Sequence, residues 1–198
     1  MKKIFGIGLS RTGSSSLAEA LTILGYRAVH FPADPATQSE YFQFFTDPSD
    51  TLRLSVLDRY DAVTDTPLGC VYRQLDRAYP GSKFILTVRD KESWLRSCEL
   101  WWHRSVVPFM EHDQRVGPFM ELAGKVTYGS AYFDAALFSR AFDAHMIGVL
   151  SYFSGRDQDL LVLNICDGGG WDELAPFLGE PVPRVPFPHL NEMVPDLG

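Results

Sequence analysis

Close to its N-terminus the chain passes from an apolar stretch, Ile4-Phe5-Gly6-Ile7-Gly8-Leu9, through Ser10-Arg11-Thr12-Gly13 into Ser14-Ser15-Ser16. Leu17, Leu21 and Leu24 then recur at helical spacing. The spacing predicts a buried strand over 3–9, a Gly/Ser turn and a helix over 14–24, with Gly25 as its stop. Such a strand–turn–helix unit is a ready anion site, because backbone N–H groups converge at the helix start and the helix dipole favours negative charge there. Two common loop patterns can be tested against it. The dinucleotide pattern GxGxxG begins at Gly6-Ile7-Gly8 but meets Arg11 where its third glycine belongs. The nucleotide triphosphatase pattern GxxxxGK[ST] fits Gly8 and Gly13, yet Ser14 stands in the lysine position. What remains is a loop whose cation is Arg11, flanked by Thr12, Ser14, Ser15 and Ser16. The bland alternative is a serine-rich cap on an ordinary helix, with Arg11 in solvent.

Further along, short β-like runs alternate with helical periodicity, which points to an α/β fold with a parallel sheet. Strands are expected over 61–64, 83–88 and 160–165. Helices are expected over 68–79, around Trp94, Trp101 and Trp102, over 134–153 and over 171–178, with loops covering the site in 104–130. No repeat or linker divides the chain, so one domain over 1–198 is expected, with a proline-rich tail from about 180 packed along the surface. A net charge of -7 argues against nucleic-acid binding, which needs a surplus of Lys and Arg on one face. Cys70, Cys98 and Cys166 form no CxxC pair and read as buried free thiols of a reducing compartment. The apolar stretch after Lys2 and Lys3 is too short for a signal peptide, and no run approaches the ~18 residues of a membrane span. A cytoplasmic protein is the expectation.

Gly8-Leu9-Ser10-Arg11-Thr12-Gly13-Ser14-Ser15-Ser16-Leu17 resembles the 5′-phosphosulfate loop of sulfotransferases, in the small, mostly microbial branch with arginine in place of the usual loop lysine. Phe84-Ile85-Leu86-Thr87-Val88-Arg89-Asp90, with Ser97 eight residues after Arg89, is similar to the family's 3′-phosphate element. Val63-Thr64-Asp65-Thr66-Pro67 falls where many sulfotransferases carry a catalytic histidine or acid after a strand, and Phe187-Pro188-His189-Leu190-Asn191 also looks like that branch. The resemblance spans nearly the whole chain in the right order. It implies a three-layer, P-loop-like α/β fold, with a central parallel β-sheet flanked by helices. It also implies transfer of a sulfuryl group from 3′-phosphoadenylyl sulfate to a hydroxyl or amine of a small acceptor, leaving adenosine 3′,5′-bisphosphate.

On this reading Arg11 meets the 5′-phosphate and the bridging oxygen that gains charge. Thr12, Gly13, Ser14, Ser15 and Ser16 complete the donor loop, and Arg89 with Ser97 holds the 3′-phosphate. Against that stands Arg89 paired with Asp90, and Ser97 as plain helix surface. Asp65 is the candidate general base, with a helix N-cap as its alternative, since Asp65-Thr66-Pro67 is also a good helix start. His30, beside Phe31-Pro32, falls at the acceptor cleft. His103, His112 and His189 read as surface or packing residues, and Trp94, Trp101 and Trp102 as core or acceptor wall. No carboxylate cluster calls for a metal. A divergent P-loop nucleotide kinase, with Asp65 on magnesium, and a catalytically idle nucleotide-binding module stay open beside the transferase.

Overall fold

The computed structural model describes residues 2–32, 34–49 and 51–190. Asn191 and the rest of the tail lie outside the described residues. Five strands, β1 (Ile4–Gly6), β2 (Ala28–His30), β3 (Ala62–Thr64), β4 (Lys83–Thr87) and β5 (Leu160–Leu163), form one sheet in the order β2-β3-β1-β4-β5. Each neighbouring pair is parallel, and Ile4 aligns with Ala62 on one side and Lys83 on the other.

Successive strand residues point to opposite faces, so this sheet carries two cores. Phe5, Val63, Phe84 and Leu86 face one side. They pack there with Tyr41 of α2 (Pro35–Thr46), Leu75 of α3 (Tyr72–Ala78), Phe119 and, from α7 (Ala135–Tyr152), Val149. Ile4, Ala62, Ile85 and Leu163 face the other side, against Leu17 and Leu21 of α1 (Ser14–Ile23) and Trp171 and Leu174 of α8 (Trp171–Leu178). Helix layer, parallel sheet and helix layer make the three-layer α/β fold that the sequence predicts. A third cluster joins α4 (Lys91–Trp101), α6 (Gly117–Tyr128) and α7 through Trp94, Trp102, Tyr128, Phe138 and Phe142, and Leu9 of the loop packs into it.

Several boundaries differ from expectation. The helix expected over 68–79 is a 3-10 turn, Leu68–Val71, followed by α3, because Val71 at φ -115° and ψ 18° breaks the helical path. β2 and α2 were not anticipated. The loops expected in 104–130 are mostly helical: a π-helical turn, Trp102–Val106, continues α4 into α5 (Val107–His112), and α6 follows. Pro108 and Pro118 sit in the first turns of α5 and α6, where a missing N–H costs nothing, so these prolines start helices rather than end them. Cys98 is buried, Cys70 partly so, and Cys166 is exposed, which corrects the expectation that all three thiols are buried. No helix among the described residues is long and apolar enough to cross a membrane.

Candidate active site

β1 lies between β3 and β4, where the chain switches from building one side of the sheet to the other. The carboxyl end of a strand at such a switch point is where open α/β sheets bind ligands. The loop leaving β1 is anchored by its own side chains. Thr12 Oγ1 donates to Leu9 O at 2.6 Å and lies 2.6 Å from Thr87 Oγ1, pinning the turn to the end of β4. Thr12 is 1% exposed, so its side chain supports the loop and faces neither cavity. Gly8 leaves no room for a side chain there: a Cβ would sit 1.9 Å from Thr87 Oγ1. Gly13 precedes α1 at φ 102°, and no side chain caps that helix, so its first N–H groups face the loop's concave side. Arg11 itself holds a left-handed φ of 68°.

Two cavities meet at this loop. One, of about 400 Å³, is lined by Arg11, Gly13, Ser14, Ser15, Ser16, Arg89 and Ser97, and closed by residues after β5 and by His189 and Leu190 of the tail. The other, about 330 Å³, lies toward α4 and α6. Arg11, Ser14 and Ser15 line both, so they form the shared wall. The arginine is held there: Nε donates to Ser97 Oγ at 3.1 Å, and its guanidinium lies 4.9 Å over the Trp101 ring. Arg89 approaches from β4, donating through Nη1 to Arg11 O at 3.3 Å and through Nε to Ser93 Oγ at 3.0 Å. Asp90 does not pair with Arg89 but caps α4, accepting the Ser93 N–H at 2.8 Å. Burial, and next the repulsion of Arg89, lowers the Arg11 pKa, against the pull of Cys98 and Asp65. An arginine still stays charged. The two guanidiniums near this uncapped helix start repel one another, a repulsion that a bound anion would relieve.

The second cavity carries a histidine beside an acid. His30 ends β2 and pairs in register with Thr64 of β3, which sets its ring one residue from Asp65. Thr64 Oγ1 donates to Ser14 O at 3.3 Å and lies 3.0 Å from His30 Nδ1, so the other ring nitrogen, Nε2, is the one turned toward Ser15 and Asp65. The Ser15 hydroxyl lies 3.1 Å from that nitrogen and Asp65 Oδ2 3.3 Å from it. Asp65, at φ 84°, is no helix cap: its Oδ1 accepts from Ser10 Oγ at 3.1 Å. Ser10 is tied on every side, its N–H donating to the Tyr128 hydroxyl and its carbonyl accepting from Trp94 Nε1. Ser16 Oγ accepts the Leu190 N–H at 2.9 Å, joining the start of α1 to the tail.

The site thus gathers Arg11, Gly13, Ser14, Ser15, Ser16, Arg89 and Ser97 around one cavity and sets Asp65 in the other. Of the remaining histidines, His103 and His112 are exposed and line neither cavity, whereas His189 borders the first. Sequence reasoning missed Ser10 and Ser93, and left His30 without a role.

The sequence profile of the sulfotransferase domain matches residues 3–194, and the chain belongs to that family. It is also similar to a protein named "Ava biosynthesis cluster protein M" from Aspergillus versicolor, 29% identical over 213 residues, which covers 95% of this chain and 80% of that protein.

Proposed function

We propose that this chain, acting as one sulfotransferase domain, moves a sulfuryl group from 3′-phosphoadenylyl sulfate to a hydroxyl or amine of a small acceptor. The observation that carries this reading is Arg11 on the wall shared by an arginine- and serine-lined cavity and a cavity holding His30 and Asp65. That arrangement suits a transfer reaction, since it can hold two substrates side by side with a cation at their meeting point. At about 400 Å³ the first cavity falls in the ~300–1,000 Å³ range of ligand sites, and its donor set suits a polyanion.

The donor, when bound, supplies the sulfuryl group and a phosphate leaving group. Arg11, with the first N–H groups of α1 and the hydroxyls of Ser14 and Ser15, binds the phosphosulfate and neutralises the charge that grows on the leaving oxygen. Arg89 and Ser97 hold the 3′-phosphate. Ser16 donates its hydroxyl hydrogen into the same cavity while its oxygen keeps the tail in place. Thr12 acts from behind, by fixing the loop. On the acceptor side His30 Nε2 takes the proton as the acceptor oxygen attacks sulfur. The new imidazolium is stabilised by Asp65 Oδ2, 3.3 Å away. One O–S bond forms, the S–O bond to phosphate breaks, and the proton rests on His30.

Calorimetric titration with adenosine 3′,5′-bisphosphate, against magnesium–ATP, tests the reading. The bisphosphate should bind without metal, and Arg11→Ala should weaken it about 10- to 100-fold, the worth of a charge-assisted hydrogen bond. Preference for magnesium–ATP would overturn the proposal in favour of a kinase.

A further inference from the structure

We infer that the second cavity takes an uncharged aromatic hydroxyl compound as acceptor, oriented by the phenol of Tyr128. The inference rests on the sulfuryl-transfer reading and narrows its acceptor.

The charge map of the cavity carries the first half. Its charged lining residues among the described ones are Arg11 and Asp65, and both stand at the end shared with the donor cavity. Away from that end the walls are Phe31, Trp101, Trp102, Val106, Met120 and Tyr128. A carboxylate or ammonium on the body of the acceptor would lose its water there and gain no opposite charge. A sugar would bury several hydroxyls against too few partners. An aromatic ring suits such walls, since ring faces and edges attract one another beyond the area they bury. The rings are also fixed beforehand. Trp102 meets Tyr128 edge-on at 5.3 Å, and Tyr128 stacks on Phe138 at 4.2 Å. Phe31 holds a left-handed φ of 45°, a conformation an aromatic residue adopts only under constraint. Its N–H bonds Thr64 O at 3.0 Å and its ring rests on Phe119 at 5.5 Å, so strain and packing together set this ring beside His30.

Tyr128 supplies the second half. It is 2% exposed, and its oxygen accepts the Ser10 N–H at 3.1 Å while lining the cavity. Burial pushes its pKa well above the ordinary value, so the hydroxyl keeps its hydrogen. Its hydrogen-bond partner is Ser10, through both the backbone N–H and the side chain, and on the cavity wall the hydroxyl is also placed to donate to an oxygen of the bound acceptor. Because Ser10 also holds Asp65, the phenol stands near the reacting end. In the reaction the aryl oxygen bonds to sulfur, the sulfur–oxygen bond to the donor phosphate breaks, and the hydroxyl proton passes to His30 Nε2.

The test uses the full chain. Adenosine 3′,5′-bisphosphate is first titrated to saturation; failure at this stage counts against the sulfuryl-transfer reading and removes the inference with it. Turnover of labelled donor is then compared for 2-naphthol, 4-hydroxybenzoate, tyramine, cyclohexanol and glucose. We expect kcat/KM for 2-naphthol to exceed that for the charged phenols and the sugar by about 100-fold. A charged, saturated or sugar acceptor that equals 2-naphthol in a protein that binds the bisphosphate would sink the acceptor class alone. Tyr128→Phe should raise the KM for 2-naphthol about tenfold and leave bisphosphate affinity unchanged. An unchanged KM, or equal losses for both ligands, would show that the hydroxyl only supports the loop through Ser10.

Discussion

At the scale of single residues, the residues that line the first cavity were legible in the sequence, and the pairing of His30 with Asp65 was not. Arg11, Arg89 and Ser97 sit in short local patterns, and the pairing of β1 with β4 brings Arg11 beside the other two. His30 belongs to no such pattern. It reaches Asp65 because β2 pairs with β3 in a register that sets His30 against Thr64, a relation between segments more than 30 residues apart. The Ser14–Thr64–His30 chain then fixes which ring nitrogen faces Ser15 and Asp65. If His30 is the proton acceptor, His30→Asn should lower kcat about 10²–10⁴-fold in a labelled-sulfate assay, with bisphosphate affinity nearly unchanged. Asp65→Asn keeps the imidazole and removes only the charge beside it, so its loss should be smaller. A His30→Asn enzyme of normal turnover would hand the role to another group.

At the scale of elements, strands with apolar runs and helices with clear periodicity were readable. β1, β4, β5, α1, α7 and α8 fall where the sequence put them, to within a few residues. β2 escaped notice because it is three half-buried residues long and shows no alternation. The stretch 104–130, where loops were expected, is instead mostly helical, with Pro108 and Pro118 in the first turns of α5 and α6. The loop after β1 is the element most exposed to steric error. Gly8→Ala would drive a methyl against Thr87 Oγ1 and, at 2.6 Å, against the Thr87 carbonyl, backbone that cannot turn aside. Overpacking of this kind costs about 1–3 kcal/mol. A thermal melt should show a fall in Tm of roughly 2–12 °C, with donor affinity falling as well. A Gly8→Ala protein with unaltered Tm would mean that the β1–β4 spacing is softer than drawn.

At the scale of the whole molecule, the sheet's far edge is tied by a charged network remote from the site. Arg156 donates to both carboxylate oxygens of Asp76, at 2.7 and 2.9 Å, and to Asp159, while Tyr152 adds a bond at 2.8 Å. Hydrogen bonds from Arg156, and then from Tyr152, hold the Asp76 carboxyl below its usual range against the cost of burial. A carboxyl lowered in the folded state stabilises the protein fully above its unfolded pKa of about 4, and that stabilisation is lost as pH falls through the folded value. Asp76→Asn should therefore cost about 1–2 kcal/mol at pH 7, discounted because Arg156 is about a third exposed, and the gap should narrow by pH 3 in urea melts. A gap that does not change with pH would leave the pair without an electrostatic role. The first cavity depends on the same long-range order, since its walls come from the loop after β1, from the end of β4 and α4, from the turn after β5 and from the tail. By itself the sequence determined the local periods and the glycine- and serine-rich turn with its arginine, because these depend on neighbours three or four residues away. Only the tertiary structure decided that Arg11 stands between two cavities and that His30 faces Asp65. Both rest on strand register and on packing across the sheet, where contacts join residues whose separation along the chain carries no period.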